Sequence, residues 1–285
     1  MLGIIGGSGL YALDGLEGAR WEAVNTPWGP PSDALLRGRL EGVELAFLPR
    51  HGRGHRLLPH QLNYRANIAA LKQAGVTHLL AVAACGSLNE HLPPGTFVLP
   101  DQYIDRTHGR AATFFDGGVL AHIAFADPVS AVLGDLVEAA ARSVGGPVHR
   151  GGAYVAIDGP RFSTRAESRM FRAWGGDIIG MTGMPEAVLA REAELPLAVL
   201  AMVTDYDAWR DGEAAVDTAT VLQLLAANAA RARAVVADVA RRLPACGPCE
   251  PWITRALDHA ILTPREAWPA EAAARLAAIA PRLFA

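Results

Sequence analysis

LGIIGGSGLYALDG (residues 2–15) opens the chain with an apolar run that stops abruptly at glycines. Such a run suits a buried strand, and glycines just past a strand let the backbone approach a ligand closely. Gly7, Gly9 and Ala12 also fit the loose dinucleotide spacing G-x-G-x-x-A. How this loop is read decides between a dinucleotide-binding fold and another α/β arrangement. A dinucleotide finger needs a strand, the glycine turn, a long helix and a second strand within about thirty residues. Gly15, Gly18, Pro27, Gly29, Pro30 and Pro31 follow instead, so no uninterrupted helix fits. The P-loop pattern also fails, because the only lysine, Lys72, lies inside a predicted helix. Leu10 stands where a G-x-S-x-G nucleophile elbow needs its last glycine. The loop is left as a binder of a smaller anion.

Outward from that loop, short β-like runs alternate with amphipathic stretches, which predicts an α/β three-layer sandwich with a central mixed β-sheet flanked by helices. Strands are expected at 2–6, 34–39, 43–49, 77–83, 96–104, 152–157, 177–181 and 197–204, with a hairpin turn at Glu41-Gly42. Helices are expected at 60–74, 129–143, 164–173, 185–193 and 217–243. Residues 1–245 read as one domain and 246–285 as a C-terminal helical tail with a short helix around 251–260.

Of 285 residues, 51% are apolar and 19% charged, the profile of a soluble globular protein. A net charge of −3 gives no electrostatic case for nucleic acid or an anionic membrane surface. The longest apolar runs, such as 79–88 and 195–203, are too short to span a bilayer, and no signal peptide is apparent, so the cytoplasm is expected. No His/Cys cluster supports a catalytic metal. Cys246 and Cys249 form an isolated C-x-x-C, readable as free thiols or as a local disulfide, and Cys85 reads as a small buried filler.

The polar residues fall just past strands. Ser8 follows 2–6, Arg50 and His51 follow 43–49, and Gly86 and Ser87 follow 77–83. Thr182 follows 177–181, and Asp205 and Asp207 follow 197–204. In open α/β sheets ligands bind at the carboxyl ends of strands, so these loops should share one mouth. Ser8, Arg50, His51 and Thr182 are donors suited to a phosphate-sized anion. Two aspartates would repel that anion and should face a part of the ligand that carries hydrogen-bond donors. An anion at one end and donors at the other describe phosphate plus a purine base.

The ordered set GIIGGSGL (3–10), TPWGPPSD (26–33), RHGRGH (50–55), NYRANIAALK (63–72), ACGSL (84–88), DQYIDRT (101–107), GPRFSTRAES (159–168), GMTGMPEAVLARE (180–192) and TDYDAW (204–209) resembles the trimeric purine nucleoside phosphorylases, in particular their methylthioadenosine phosphorylase family. The likeness covers roughly residues 2–240. It implies a nucleoside-phosphorylase-like fold and a homotrimer acting on a small nucleoside, with phosphate as co-substrate and no cofactor or metal. It also implies a phosphate site from Ser8, Arg50, His51, Ala83, Ala84 and Thr182. Met181 would lie against the ribose, and Phe162 and Ser163 would frame the base. Thr218, Val221 and Leu222 would line the 5′ pocket, reached also by His122 of a neighbouring subunit.

Asp205 and Asp207 would read the base and, with His51, form the candidate catalytic set, Asp205 being the acid that protonates the leaving purine. GMTGMPE departs from the wording usual in adenosine-type members and leaves a 6-oxopurine or methylthioinosine phosphorylase as an alternative; a catalytically silent nucleoside-binding protein is another. His122, beside Ile123 and Phe125, also reads as a core histidine.

Overall fold

The computed structural model describes residues 1–7, 10, 14–210 and 218–284, and within 218–242 the side chains at 224, 226 and from 228 onward. The chain begins with β1 (Leu2–Gly6), β2 (Glu17–Glu22), β3 (Leu35–Leu40), β4 (Val43–Pro49), α1 (Tyr64–Gln73) and β5 (His78–Ser87). It continues through β6 (Phe97–Leu99), β7 (Gln102–Arg106), α2 (Ala131–Val144), β8 (Val148–Arg150), β9 (Ala153–Ile157), α3 (Arg165–Ala173) and β10 (Gly176–Gly180). α4 (Gly183–Glu192), β11 (Leu197–Asp205), α5 (Thr218–Arg242) and the short α6 (Pro251–Thr254), α7 (Ala270–Leu276) and α8 (Pro281–Phe284) complete it.

All the strands join one mixed sheet whose main path runs β2-β3-β4-β1-β5-β10-β9-β7. At its centre β1 pairs parallel with β4 and β5, and β11 pairs parallel with β5. The pleat sends alternate side chains to opposite faces, and both faces are covered. Ile5, Leu79, Ala81, Leu197 and Val199 pack with Ile68 of α1 and Leu189 of α4. Leu2, Ile4, Leu80, Val82 and Leu200 pack with Val137 of α2 and Val236 of α5 on the other side. This is the expected three-layer sandwich. From the last forty residues, Leu257, Leu276 and Ile279 bury in the same cluster as α1 and α4.

Local chemistry sets the helix ends. Asn63 caps α1 by accepting from the N–H of Ala66, and Thr164 and Glu167 form a reciprocal capping box at α3.

Two strand expectations need correction. The run 96–104 is two strands: β6 joins β11 and β8, whereas β7 joins β9 at the far edge. Pro100-Asp101 breaks the run, since proline lacks the N–H a ladder needs. β5 continues to Ser87, so Gly86 and Ser87 belong to a strand rather than a loop. β10 runs antiparallel to β5, with Ile178 opposite Ser87 and Ile179 opposite Gly86. Thr182 therefore reaches the mouth because β5 overruns β1 and β10 returns beside the overrun.

Candidate active site

These strand ends enclose a cavity of about 420 Å³. Arg50, His51, Ala83, Ala84, Phe162, Ser163, Met181, Thr182, Asp205 and Asp207 all line it, together with Gly7. Ser8 lies outside the described residues, as do the side chains of Thr218, Val221 and Leu222, whose backbone belongs to α5. His122 does not line the cavity and is not a core residue. It is exposed, and its N–H bonds the carbonyl of Ala260 at 2.9 Å.

The cavity has two chemically distinct ends. At one stands Arg50, only 2% exposed. Its guanidinium fork is not directed at the cavity, as a phosphate fork would be. Nε and Nη2 meet the two carboxylate oxygens of Glu186 at 2.5 and 3.0 Å, Nη1 donates to the Val82 carbonyl at 2.8 Å, and Nη2 also reaches the Ile5 carbonyl at 3.4 Å. Among the described residues one Nη1 hydrogen is left uncommitted. Burial works against the charge, and the Glu186 carboxylate more than restores it, so the Arg50 pKa is raised.

His51 is likewise partly committed: its Nδ1 lies 2.9 Å from the Leu57 carbonyl, an acceptor, which places the proton on Nδ1 and turns Nε2 to the remaining space. Burial first, then the Arg50 charge, pushes its pKa down to about 4, so the ring is neutral at pH 7. Thr182 immediately precedes α4 and does not spend its hydroxyl on a cap; Met184 and Pro185 depart from helical geometry, so the hydroxyl rather than a helix end is what it offers an anion.

At the other end are two acids. Asp205 closes β11; its Oδ1 accepts from the Asp207 N–H and its Oδ2 from the Thr204 hydroxyl, both at 2.7 Å. Asp207 is held at φ 50°, in the left-handed region that a non-glycine residue seldom adopts. Burial raises the pKa of both carboxyls; donors from Thr204 and the Asp207 N–H oppose the shift at Asp205, and nearby Ser168 and Ser163 oppose it at Asp207. Among the described residues Asp207 Oδ2 nevertheless makes no hydrogen bond of full geometry, and neither does Ser163 Oγ. Gly86 gives the acids room, since a Cβ there would sit 2.9 Å from Asp205 Oδ1. Cys85 is buried, as expected, and all three cysteines are free thiols. Among the described residues no three His, Cys, Asp or Glu side chains group as a metal site.

Three residues outside the expected set build the site from behind. Glu186 neutralises Arg50, Thr204 touches Asp205, and Arg110 staples the walls. The Arg110 guanidinium donates to the carbonyls of Met181 and Met184 at 2.8 and 2.7 Å and to that of Asp158 at 3.0 Å. It thus joins the ends of β9 and β10. The one sequence signal was a glutamate inside an otherwise apolar helix face, PEAVLA (185–190), where a buried charge requires a partner.

The phosphorylase superfamily model matches residues 1–241. The chain is 51% identical to the S-methyl-5′-thioadenosine phosphorylase of Rhodospirillum rubrum, over 100% of this chain and 97% of that one. It is equally identical to the Cereibacter sphaeroides protein of the same name, over 100% and 98%. A solved methylthioadenosine phosphorylase from an antarctic soil metagenomic library superposes with a TM-score of 0.92 at 46% identity, covering 98% of both chains. The Schistosoma mansoni methylthioadenosine phosphorylase in complex with adenine gives 0.82 at 37%, covering 90% of this chain and 98% of that one.

Proposed function

The chain belongs to the phosphorylase superfamily, and from that premise we propose that it is a pentosyltransferase that cleaves 5′-methylthioadenosine with phosphate. The products are adenine and 5-methylthioribose 1-phosphate, which places it in purine and methionine salvage. The observation that favours this substrate is the acidic end of the cavity, where Asp207 stands beside Asp205 and, among the described residues, its Oδ2 makes no hydrogen bond of full geometry. An acceptor with capacity to spare matches the exocyclic amino group of adenine, whereas a 6-oxo base would present an acceptor to an acceptor.

The chemistry follows from the two ends. The C1′–N9 bond breaks through an oxocarbenium-like sugar, and a phosphate oxygen forms the new bond to C1′ from the opposite face. The N9 electron pair leaves on the purine, which takes a proton at N7. Asp205, its carboxyl pKa raised by burial, supplies that proton and is left as carboxylate. Thr182, the remaining Arg50 hydrogen, His51, Ala83, Ala84 and Ser8 hold the phosphate, whose negative charge stabilises the cationic sugar. Met181, Phe162 and Ser163 hold the nucleoside, with Thr218, Val221 and Leu222 at the 5′ group.

The balance requires phosphate as co-substrate and neither metal nor organic cofactor. A cytoplasmic homotrimer completes the proposal, with His122 reaching a neighbour's 5′ pocket. The exposed Leu120 and Leu262, 48% and 58% accessible, lie beside His122 and suit a subunit contact.

Initial rates with methylthioadenosine, adenosine, methylthioinosine and inosine, each with and without phosphate, test the assignment. Methylthioadenosine should give the highest kcat/KM. A clear preference for the inosine compounds would make this a 6-oxopurine enzyme. Nucleoside binding without phosphate-dependent base release would make it a silent binding protein.

A further inference from the structure

Thr204 is the last residue before the proposed acid, and its side chain is placed between two acceptors. Its Oγ1 lies 2.7 Å from Asp205 Oδ2 and 3.1 Å from the main-chain carbonyl of Cys85 on the neighbouring strand β5. Thr204 is 2% exposed, so no bulk water competes for the hydroxyl. A threonine hydroxyl has one proton and can satisfy only one of these acceptors at a time. The other donor to Asp205, the Asp207 N–H on Oδ1, is main chain and cannot turn away.

We infer that Thr204 is a positioning residue whose hydroxyl rotates between the Cys85 carbonyl and Asp205 Oδ2 as the acid gives up its proton. While Asp205 is protonated, its Oδ2 is a weak acceptor and the Thr204 proton rests on the Cys85 carbonyl. When the proton moves to purine N7, the new carboxylate becomes the stronger acceptor, and the Thr204 proton swings to Oδ2. The bond gained is charge-assisted, about twice as strong as the neutral one given up. It is therefore realised as the transition state is approached, which is where a hydrogen bond accelerates a reaction. No bond to Thr204 is made or broken, and its proton stays on Oγ1 throughout.

The groups around the acid leave this task to Thr204. Among the described residues the titratable neighbours are Asp207 on the same segment, the buried Cys85 thiol of β5 and, acting through Asp207, Glu167 of α3. Asp207 disfavours the developing carboxylate electrostatically, and the two donors to Asp205 are what oppose it.

The inference rests on Asp205 being the acid, and the experiment separates the two. Wild type, Thr204→Val and Thr204→Ser are compared in single turnovers of methylthioadenosine with saturating phosphate across pH 5 to 9, so that product release does not enter. Thr204→Val should slow base release about tenfold or more at pH 7 and move the alkaline limb of its pH profile upward by about one unit, because the carboxylate loses a donor. Thr204→Ser keeps the hydroxyl and should stay within about threefold of wild type on an unshifted profile. A Thr204→Val profile that superimposes on wild type overturns the inference, and so does a slower rate with an unmoved limb, which is what lost packing alone would give. If wild type itself releases no base, the reading of the site fails instead. Thr204→Ala puts the same question with a smaller side chain should the valine variant not fold.

Discussion

Asp207 shows what one residue can reveal. Its left-handed backbone sends its own N–H to Asp205, and among the described residues its carboxylate Oδ2 makes no hydrogen bond of full geometry. Asp207→Asn keeps the volume but replaces one acceptor oxygen by a donor NH₂. Its kcat/KM for methylthioadenosine should fall ten- to a hundredfold, because a 6-amino group then meets a donor. The same variant should lose far less with methylthioinosine, and the ratio of the two substrates is the measurement. An unchanged ratio would mean that Asp207 does not read the base.

The two aspartates, Thr182 and His51 were legible because each stands at or just past the end of an apolar strand. The partner of Arg50 was not. Glu186 is 136 positions away, and no local periodicity encodes which buried charge will meet which. Nor could the sequence indicate that the Arg50 fork would be occupied from behind rather than offered to the anion.

At the scale of elements, strand periodicity located the sheet but not its wiring. Residues 96–104 look like one strand, yet β6 and β7 join opposite parts of the sheet. Partner choice depends on long-range packing, and a two-residue interruption at Pro100-Asp101 suffices to redirect the chain. Helix caps are more local, and Ser130 caps α2 by accepting from the Leu133 N–H at 3.1 Å. A second part of this cap arrives from 120 positions downstream: Glu250 accepts from Ser130 Oγ at 2.7 Å, and from the Val132 N–H at 3.0 Å. That carboxylate also lies at the positive end of the helix dipole. Glu250→Ala should therefore cost about 1–2 kcal/mol of unfolding free energy, read as a lower midpoint in urea with nearly unchanged slope. Stability equal to wild type would show that Ser130 suffices alone.

At the scale of the molecule, alternation of strand and helix periods announced a sheet covered on both faces, and the two core clusters are those faces. Less legible was how the long segment between β7 and α2 is fixed, because it has few regular elements and its anchors come from elsewhere. One anchor is Glu192 at the end of α4, 4% exposed, whose carboxylate accepts from Thr113 Oγ1 at 2.8 Å and the Phe114 N–H at 2.7 Å. Burial raises its pKa to about 7 against those two donors and Arg65, with Asp116 adding to the rise.

The consequence for stability has a definite sign. In the unfolded chain this glutamate titrates near its ordinary value of about 4.3. Between there and about 7 the folded protein holds a proton that the unfolded chain has released. Stability from this group is complete below the lower value and is lost as pH rises through the higher one, by about 4 kcal/mol in all. Glu192→Gln cannot ionise and should remove that slope. Urea unfolding of both proteins at pH 5, 6, 7 and 8 isolates the difference, because every other titrating group is common to the two. The gap between wild type and variant should move against wild type from pH 5 to 8, and a gap independent of pH would place the Glu192 titration outside this window.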